Sequence, residues 1–198
     1  MGSHRSGKTT LAKALAEQNG IYYFQSSTTA IMAEGGFNPV GVLAPEERIE
    51  AQEWLLLRYL ELAQDVPRPF ITDRTPIDMA AYTLAEVSMH NSSAELGERI
   101  DRYVKGCLMA ASGMFDTLMV TRPLPFYDAQ PDKPPPNPAF QAHIQILIEG
   151  MAYHMLSEQV TVGFLTSPEH GQRVEACTNL MNRRMQEMQS DRQAALVH

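Results

Sequence analysis

The chain has 198 residues, a formal net charge of −7 and a pI of about 5.3. Hydrophobic residues make up 44% and charged residues 20%, which is typical of a globular chain of one domain and excludes a disordered one. The acidic balance argues against a protein that grips a nucleic-acid backbone, because such proteins need clustered Lys and Arg.

The sequence contains neither a predicted membrane span nor a predicted signal peptide, and this indicates where the protein is located. No stretch has the ~20 apolar residues that a membrane span needs, and the N-terminus lacks the basic and apolar regions of a signal peptide. Cys107 and Cys177 have no metal-ligand spacing and are predicted to be reduced thiols. We therefore expect one soluble, cytoplasmic domain over residues 1–198 that binds neither nucleic acid nor membrane.

Helices and short strands alternate along the first half of the chain. Asn19-Gly20 ends the first helix, since this pair favours a turn. Pro45 begins a long helix, because Pro fits the first helical position and the acids after it complement the helix dipole. The predicted elements are a helix over Gly7–Gln18, a strand over Ile21–Phe24, a short helix over Thr29–Glu34, a long helix over Pro45–Gln64, a strand over Pro69–Thr72 and a helix from Pro76 to about Met89.

The second half continues this alternation around one loop, Arg122–Pro138, which holds seven prolines and no helical period. Ser92 and Glu95 have the spacing of a capping box, which predicts a helix start. The other predicted elements are a helix to about Ala111, a strand over Phe115–Thr121, a helix after Pro138, a strand over Val160–Leu165, a helix to about Gln189 and a frayed tail over Ser190–His198. Strands that alternate with helices predict an α/β domain with a parallel sheet and helices on both faces.

The first helix is preceded by a glycine-rich motif. Residues 2–9, Gly-Ser-His-Arg-Ser-Gly-Lys-Thr, match G-x-x-x-x-G-K-[ST], the P-loop. The glycines let backbone N–H groups point at phosphates, Lys8 reaches the β and γ phosphates, and Thr9 places a hydroxyl on Mg²⁺. The predicted nucleotide-binding residues are Gly2, Ser3, His4, Arg5, Ser6, Gly7, Lys8, Thr9 and Thr10.

The sequence departs from the usual P-loop pattern at its start. A P-loop normally follows a buried strand, and here only Met1 precedes Gly2. A truncated chain, a start assigned too late, or another segment in that place of the sheet would each explain this. We therefore expect an α/β fold whose N-terminal P-loop strand is missing.

A second motif follows the strand that ends near residue 72. Asp73 comes directly after this strand, at the edge of the sheet where ligands bind in open α/β folds. In P-loop proteins such a carboxylate holds Mg²⁺ or accepts a hydroxyl proton, and Arg74 beside it can clamp a phosphate. The alternative is an Asp that caps the next helix, beside a surface Arg.

With both motifs, the sequence resembles P-loop nucleoside and nucleotide kinases of the thymidylate-kinase-like and deoxynucleoside-kinase-like kind. It is similar to small phage-type or NadR-like ATP-binding kinases, which have a D-R-[ST]-P-[IL]-D segment, here residues 73–78. The resemblance covers about Gly2 to Leu180 and implies a three-layer kinase fold with ATP over the P-loop. It also implies that Asp73 and Arg74 lie between Mg²⁺ and the acceptor, that residues 122–138 form a lid, and that Thr166–Gly171 is the adenine loop.

The long helix offers a candidate acceptor site. Arg48, Gln52 and Tyr59 fall on one stripe, where they can bind a phosphate, a base edge and a base face. The alternative is a half-exposed helix flank, just as the alternative for the lid is a plain connecting loop. Met181, Met185 and Met188 have a spacing that suits either a core or the face of a homodimer.

The hypothesis for the whole chain is an ATP-dependent kinase that acts on a nucleoside or a (deoxy)nucleoside monophosphate. The predicted catalytic residues are Lys8, Asp73, Arg74 and Arg122, and the predicted Mg²⁺ ligands are Thr9 and Asp73. The predicted substrate-binding residues are Arg48, Gln52, Tyr59 and Arg74. A P-loop ATPase and a non-catalytic nucleotide-binding regulatory protein are the alternatives. A GTPase is disfavoured because the chain has no Asn-Lys-x-Asp.

Overall fold

The computed structural model describes residues 1–38, 41, 43–87, 92–125, 137–155 and 160–196, which form seven helices and four strands. In chain order these elements are α1 (Lys8–Asn19), β1 (Tyr22–Phe24), α2 (Thr28–Glu34), α3 (Pro45–Gln64), β2 (Phe70–Thr72), α4 (Pro76–Glu86), α5 (Ala94–Met114), β3 (Thr117–Thr121), α6 (Pro138–Met155), β4 (Thr161–Leu165) and α7 (His170–Leu196).

The strands pair in two short parallel ladders. β1 pairs with β2, with Phe24 opposite Thr72, and β3 pairs with β4, with Thr121 opposite Leu165. Parallel neighbours need crossover connections, and the chain supplies helices for them, α2 and α3 in the first ladder and α6 in the second. The predicted α/β fold with parallel strands and surrounding helices is confirmed.

A gap separates the two ladders, and Met1 lies at one end of it. The Met1 ammonium group donates to the carbonyl oxygen of Met119 at 2.9 Å, and the Thr121 N–H donates to the Met1 carbonyl oxygen at 2.9 Å. These alternating bonds are those of a strand parallel to β3. Beyond Met1 the gap is a cavity of about 590 Å³, lined by α1, β2, β3 and α7. Among the described residues no strand bridges β2 and β3.

Helix α6 shows how sequence periodicity builds the core beside the second ladder. Ile144, Ile148, Ala152 and Met155 recur at helical spacing, and each is fully buried. They share a cluster with Leu118 of β3. Two further clusters complete the interior, one formed largely by α3, α4 and α5, and one formed by α1, β4 and α7.

Capping residues set the starts of α4 and α5. Thr75 caps α4 as expected: its hydroxyl accepts from the Asp78 N–H, and Pro76 occupies the first helical position. At α5 the predicted cap was wrong by one residue. Ser93, not Ser92, is the N-cap, because its hydroxyl accepts from the Leu96 N–H and thereby fixes the helix start at residue 94.

Several predicted ends also differ from the structure. α5 extends to Met114, beyond the predicted end near Ala111. α7 extends through Leu196, so residues 190–196 of the predicted frayed tail are helical. α4 ends at Glu86. The predicted helix end at Met89 and residues 126–136 of the predicted lid lie outside the described residues.

None of the described helices combines the length and the apolar character that crossing a membrane needs.

Candidate functional site

Residues 2–7 form a tight loop whose backbone requires glycine at two positions. Gly7 has φ +77°, in the left-handed region, where a side chain would be strained. At Gly2 a Cβ atom would lie 2.3 Å from Oγ1 of Thr121, so any larger residue would push the loop away from β3. The non-glycine residue Arg5 also has a left-handed φ of +58°. The loop therefore curls at the end of β3 and leads directly into α1.

The Lys8 side chain folds back across this loop. Its Nζ atom donates to the carbonyl oxygens of Gly2 and Ser3, both at 2.7 Å. Burial lowers the pKa of Lys8 to about 8, although the Asp78 carboxylate acts to raise it. The structure thus holds a buried cation with neutral partners inside the loop, where an anion would stabilise its charge.

The Ser6 side chain shapes the loop through two hydrogen bonds. The Ser6 hydroxyl donates to the Ser3 carbonyl oxygen at 2.8 Å and lies 2.8 Å from the Thr121 hydroxyl in a second hydrogen bond. Both serines are buried. The Ser6 hydroxyl therefore connects the loop to itself and to β3, which maintains the curl of the loop.

The start of α1 has the features that suit an anion. In the described chain no side chain caps this helix and no acidic residue lies in its first turn. Thr9 and Thr10 are exposed there. The N–H groups of a first turn have no partner within the helix and carry the positive end of its dipole, so they favour phosphate.

Asp73 meets this helix start. The Thr9 hydroxyl donates to Oδ2 of Asp73, which places a carboxylate next to the residue that follows Lys8. Burial, and then the Asp73 carboxylate, raise the pKa of Tyr23 to about 12, so this neighbouring phenol stays neutral. A hydroxyl and a carboxylate in contact are the oxygen ligands that Mg²⁺ prefers, and Thr9 and Asp73 therefore fit that ion.

Asp78 is a site residue to which sequence reasoning gave no role. Its Oδ1 atom accepts from the Gly2 N–H at 3.0 Å, and its Oδ2 atom accepts from the N–H and hydroxyl of Thr75 at 2.9 and 2.8 Å. Burial opposes ionisation, but the N-terminal ammonium group, Lys8 and Arg74 hold the pKa of Asp78 below its usual range. The residue ties the loop to α4. Its spacing in the capping box with Thr75 was the available signal.

Arg74 lies between α3 and the loop. Its carbonyl oxygen accepts from the Tyr59 hydroxyl at 2.8 Å, which fixes the backbone directly after Asp73. Its positive charge also affects the loop. Burial is the main cause that lowers the pKa of His4, and the charges of Lys8, Arg5 and Arg74 lower it further. The position therefore suits a guanidinium that contacts an anion near the P-loop.

The three predicted acceptor residues on α3 are occupied by contacts within the protein. Arg48 pairs with Glu86 of α4 at 3.1 Å. Gln52 is 5% exposed and accepts from the Tyr103 hydroxyl at 3.4 Å, while Tyr59 is 0% exposed. The Tyr59 ring therefore has no open face on which a base could stack, and the stripe faces the interior of the protein in this structure.

Two glutamines of α6 reach the loop from the other side, a contact that sequence reasoning missed. Gln145 accepts from the Ser3 N–H at 3.1 Å, and Gln141 donates to the His4 carbonyl oxygen at 2.7 Å. Their four-residue spacing, which Glu149 continues, was the signal for this polar stripe.

Two arginines complete the surroundings of the loop. Arg122, directly after β3, donates through Nε to Glu149 at 3.1 Å. Arg173 of α7 is 3% exposed and donates to the carbonyl oxygens of Ser6 and Arg122, at 2.7 and 3.1 Å. No motif in the sequence marks Arg173, because its partners are backbone atoms of distant segments.

These features define a P-loop nucleotide-binding protein. A loop with glycine-dependent curvature leads into an uncapped helix start, beside a buried lysine and a threonine–aspartate pair. The sequence profile of a family described as AAA domain matches residues 1–133, which is more than half of the chain. The chain belongs to this AAA domain family.

A comparison with solved structures shows the fold. A deoxyadenosine kinase from M. mycoides, determined with bound dCTP, matches with a TM-score of 0.64 over 92% of this chain and 97% of that one, at 10% sequence identity. The fold is therefore a P-loop kinase fold. A search of curated proteins found no match.

Proposed function

We propose that this chain is an ATP-dependent kinase that transfers a phosphoryl group to a nucleoside or a (deoxy)nucleoside monophosphate. The observation that carries the proposal is the contact of Thr9 with Asp73 next to the loop-bound Lys8. This arrangement joins a polyphosphate site to a carboxylate that can serve a metal ion or an acceptor. The likeness to a deoxyadenosine kinase supports a kinase within the P-loop class.

The donor phosphates would lie over the loop and the first turn of α1. Lys8 would exchange the carbonyl oxygens of Gly2 and Ser3 for phosphate oxygens, which offer a full negative charge. That exchange would raise the pKa of Lys8 again, since the anion stabilises the ammonium form. Lys8 would thereby hold the β and γ phosphates in position for transfer.

Thr9 and Asp73 would hold Mg²⁺, directly or through water. When bound, this ion supplies charge neutralisation at the phosphates. In the described structure the two side chains already touch, so little rearrangement of the protein is needed to bring both oxygens to one ion.

The transfer itself needs an oriented acceptor and stabilisation of charge. The acceptor oxygen forms a bond to the γ phosphorus, the bond from that phosphorus to the β–γ bridging oxygen breaks, and ADP leaves. Asp73 would orient a hydroxyl acceptor and take its proton, whereas a phosphate acceptor needs no base. Arg74 and Arg122 would neutralise the charge on the transferred group.

For the α3 stripe we infer an indirect role. Arg48, Gln52 and Tyr59 bond to protein groups, and Tyr59 fixes the backbone of Arg74. The stripe would therefore support the acceptor side through Arg74, which remains the proposed phosphate ligand. A direct role would require these contacts to open.

An acceptor panel tests the proposal. ATP consumption is measured with Mg²⁺ alone and then with each of a set of nucleosides and monophosphates. Turnover that requires one acceptor, with the phosphate recovered on that acceptor, is the expected result. Binding of ATP without any turnover would contradict the kinase and favour a regulatory protein.

A P-loop ATPase is the second candidate, because the matching family profile carries the description of an AAA domain. The same assay separates the two, since an ATPase releases inorganic phosphate at the same rate with and without acceptors.

A further inference from the structure

A chain of hydrogen bonds joins the phosphate loop to the side chain of Arg122. The Ser3 N–H donates to Oε1 of Gln145, whose Nε2 donates to Oε1 of Glu149 at 3.0 Å. The same Glu149 oxygen accepts from Nε of Arg122 at 3.1 Å. Glu149, together with Gln145, therefore links the Arg122 guanidinium to the loop backbone.

A second connection fixes the backbone of Arg122 to the same loop. Arg173 donates to the Arg122 carbonyl oxygen through Nη2 and to the Ser6 carbonyl oxygen through Nη1. The two connections together involve six residues: Ser3, Gln145, Glu149, Arg122, Arg173 and Ser6. Both the main chain and the side chain of Arg122 are thereby held relative to the loop.

The contact with Glu149 leaves the terminal nitrogens of the guanidinium for a ligand. Within the described residues, Arg122 bonds to Glu149 through Nε alone, and no hydrogen bond uses its Nη1 or Nη2. The paired amino groups of arginine match the oxygens of a phosphate. A carboxylate on Nε thus orients the guanidinium and does not compete for those two groups.

We propose that Glu149 is a positioning residue that aims the Arg122 guanidinium at the phosphoryl group held by the loop. This inference rests on the proposed function, in which Arg122 contacts the transferred group. Glu149 acts through Arg122 and does not itself touch the substrate.

A merely structural salt bridge would behave differently. The Arg122 and Glu149 side chains are 49% and 23% exposed, and partly exposed pairs of this kind contribute little to stability. Replacing Glu149 with Gln should therefore leave the unfolding midpoint almost unchanged. Positioning predicts a loss in kcat, because a misplaced charge stabilises the transition state less well.

The test is a double-mutant cycle with E149Q, R122Q and the double variant, assayed with the acceptor found in the panel. We expect E149Q to lower kcat about tenfold without raising KM for ATP, and to have no further effect in the R122Q background. E98Q, at a surface pair with Arg102, is the matched control and should keep full turnover. An equal loss of kcat from E149Q in both backgrounds would overturn the inference, as would a rise in KM that matches the loss in kcat.

A second readout separates this inference from the proposed function. If the wild-type chain shows no acceptor-dependent turnover, the kinase proposal fails, and the cycle is repeated on the binding of ADP and Mg²⁺ with fluoroaluminate as a phosphoryl mimic. We then expect E149Q to weaken the fluoroaluminate complex about tenfold, but not the ADP complex, only when Arg122 is present. The inference is overturned if fluoroaluminate does not increase the affinity of the wild-type chain for ADP and Mg²⁺. It is also overturned if E149Q weakens the complexes with and without fluoroaluminate to the same extent.

Discussion

The phosphate loop and the α3 stripe both hold polar side chains that suit a nucleotide, but the fold uses them differently. In the loop the Ser6 hydroxyl bonds to the Ser3 carbonyl oxygen. Within the described chain, the first turn of α1 lacks a side-chain cap and the Lys8 ammonium group donates to carbonyl oxygens alone. On α3 the polar atoms are used by Glu86, Tyr103 and the Arg74 carbonyl oxygen.

This contrast between the loop and α3 shows where a local sequence pattern is enough to predict a site. The curl of the loop and the uncapped first turn of α1 follow from adjacent residues, whereas the Gly2 and Ser3 N–H groups donate to the distant Asp78 and Gln145. A helix stripe only says which residues share a face. Which protein groups meet that face depends on α4 and α5, which lie far along the chain.

Lys8→Ala should give the largest effect, because Lys8 is the cation of the loop. We expect turnover to fall by on the order of 10²–10³-fold, since a group that stabilises charge in the transition state is lost. The assay measures kcat/KM for ATP with the preferred acceptor. Lys13→Ala, an exposed position on the same helix, is the control and should retain full turnover. Unimpaired transfer by Lys8→Ala would refute the assigned role of the loop.

Asp73→Asn should have the next largest effect. It retains the shape of the side chain and an oxygen for Thr9, but it removes the charge proposed to hold Mg²⁺. Turnover at limiting Mg²⁺ should fall on the order of 100-fold, with partial recovery at high Mg²⁺. Asp65→Asn, at the exposed end of α3, is the control. A Mg²⁺ dependence equal to that of the wild type would remove Asp73 from the metal site.

The pH dependence of nucleotide binding reports on Lys8. Burial lowers its pKa from 10.5 to about 8 in the nucleotide-free protein, so the unfolded chain binds more protons between these values and stability rises with pH in that window. A bound polyphosphate should raise the pKa again. ATP binding at pH 9 should therefore take up a proton, and affinity should fall by at most about tenfold per pH unit above 8.

Calorimetry in two buffers of different ionisation enthalpy measures that uptake. Lys8→Met provides the comparison, since it has no group that titrates at this position. Equal proton uptake by both proteins would show that Lys8 does not face the nucleotide.

Tyr59→Phe tests the supporting role of α3. Removing the hydroxyl leaves the buried Arg74 carbonyl oxygen without this donor, so the free energy of unfolding should fall by about 1 kcal/mol. Chemical denaturation measures the change, and Tyr153→Phe, at an exposed position, should have almost none. If stability stays constant while KM for the acceptor rises tenfold, Tyr59 binds the substrate directly.

Arg48→Gln should give the smallest effect. It breaks the partly exposed pair with Glu86, and the expected cost is about 0.5 kcal/mol in stability with an unchanged KM for the acceptor. A tenfold rise in KM for the acceptor would instead indicate that Arg48 binds the acceptor phosphate. The proposed difference between α3 and the loop would then be wrong.

Local sequence signals predicted much of the fold. The bounds of α3, the position of β2 and the cap at Thr75 followed from Pro, from β-branched residues and from capping chemistry close in the chain. Three contacts were not predicted: that of Met1 with β3, that of Gln145 with Ser3, and that of Arg173 with the Ser6 carbonyl oxygen. Each joins segments more than 100 residues apart and depends on how whole elements pack.

The central claim is that residues 2–9 wrap a polyphosphate beside Asp73. A crystal structure with Mg²⁺ and a non-hydrolysable ATP analogue tests it most directly. The account predicts that Nζ of Lys8 leaves the carbonyl oxygens of Gly2 and Ser3 for phosphate oxygens, while Thr9 and Asp73 flank the ion. A polyphosphate bound elsewhere, with Lys8 still bonded to those carbonyl oxygens, would contradict the account.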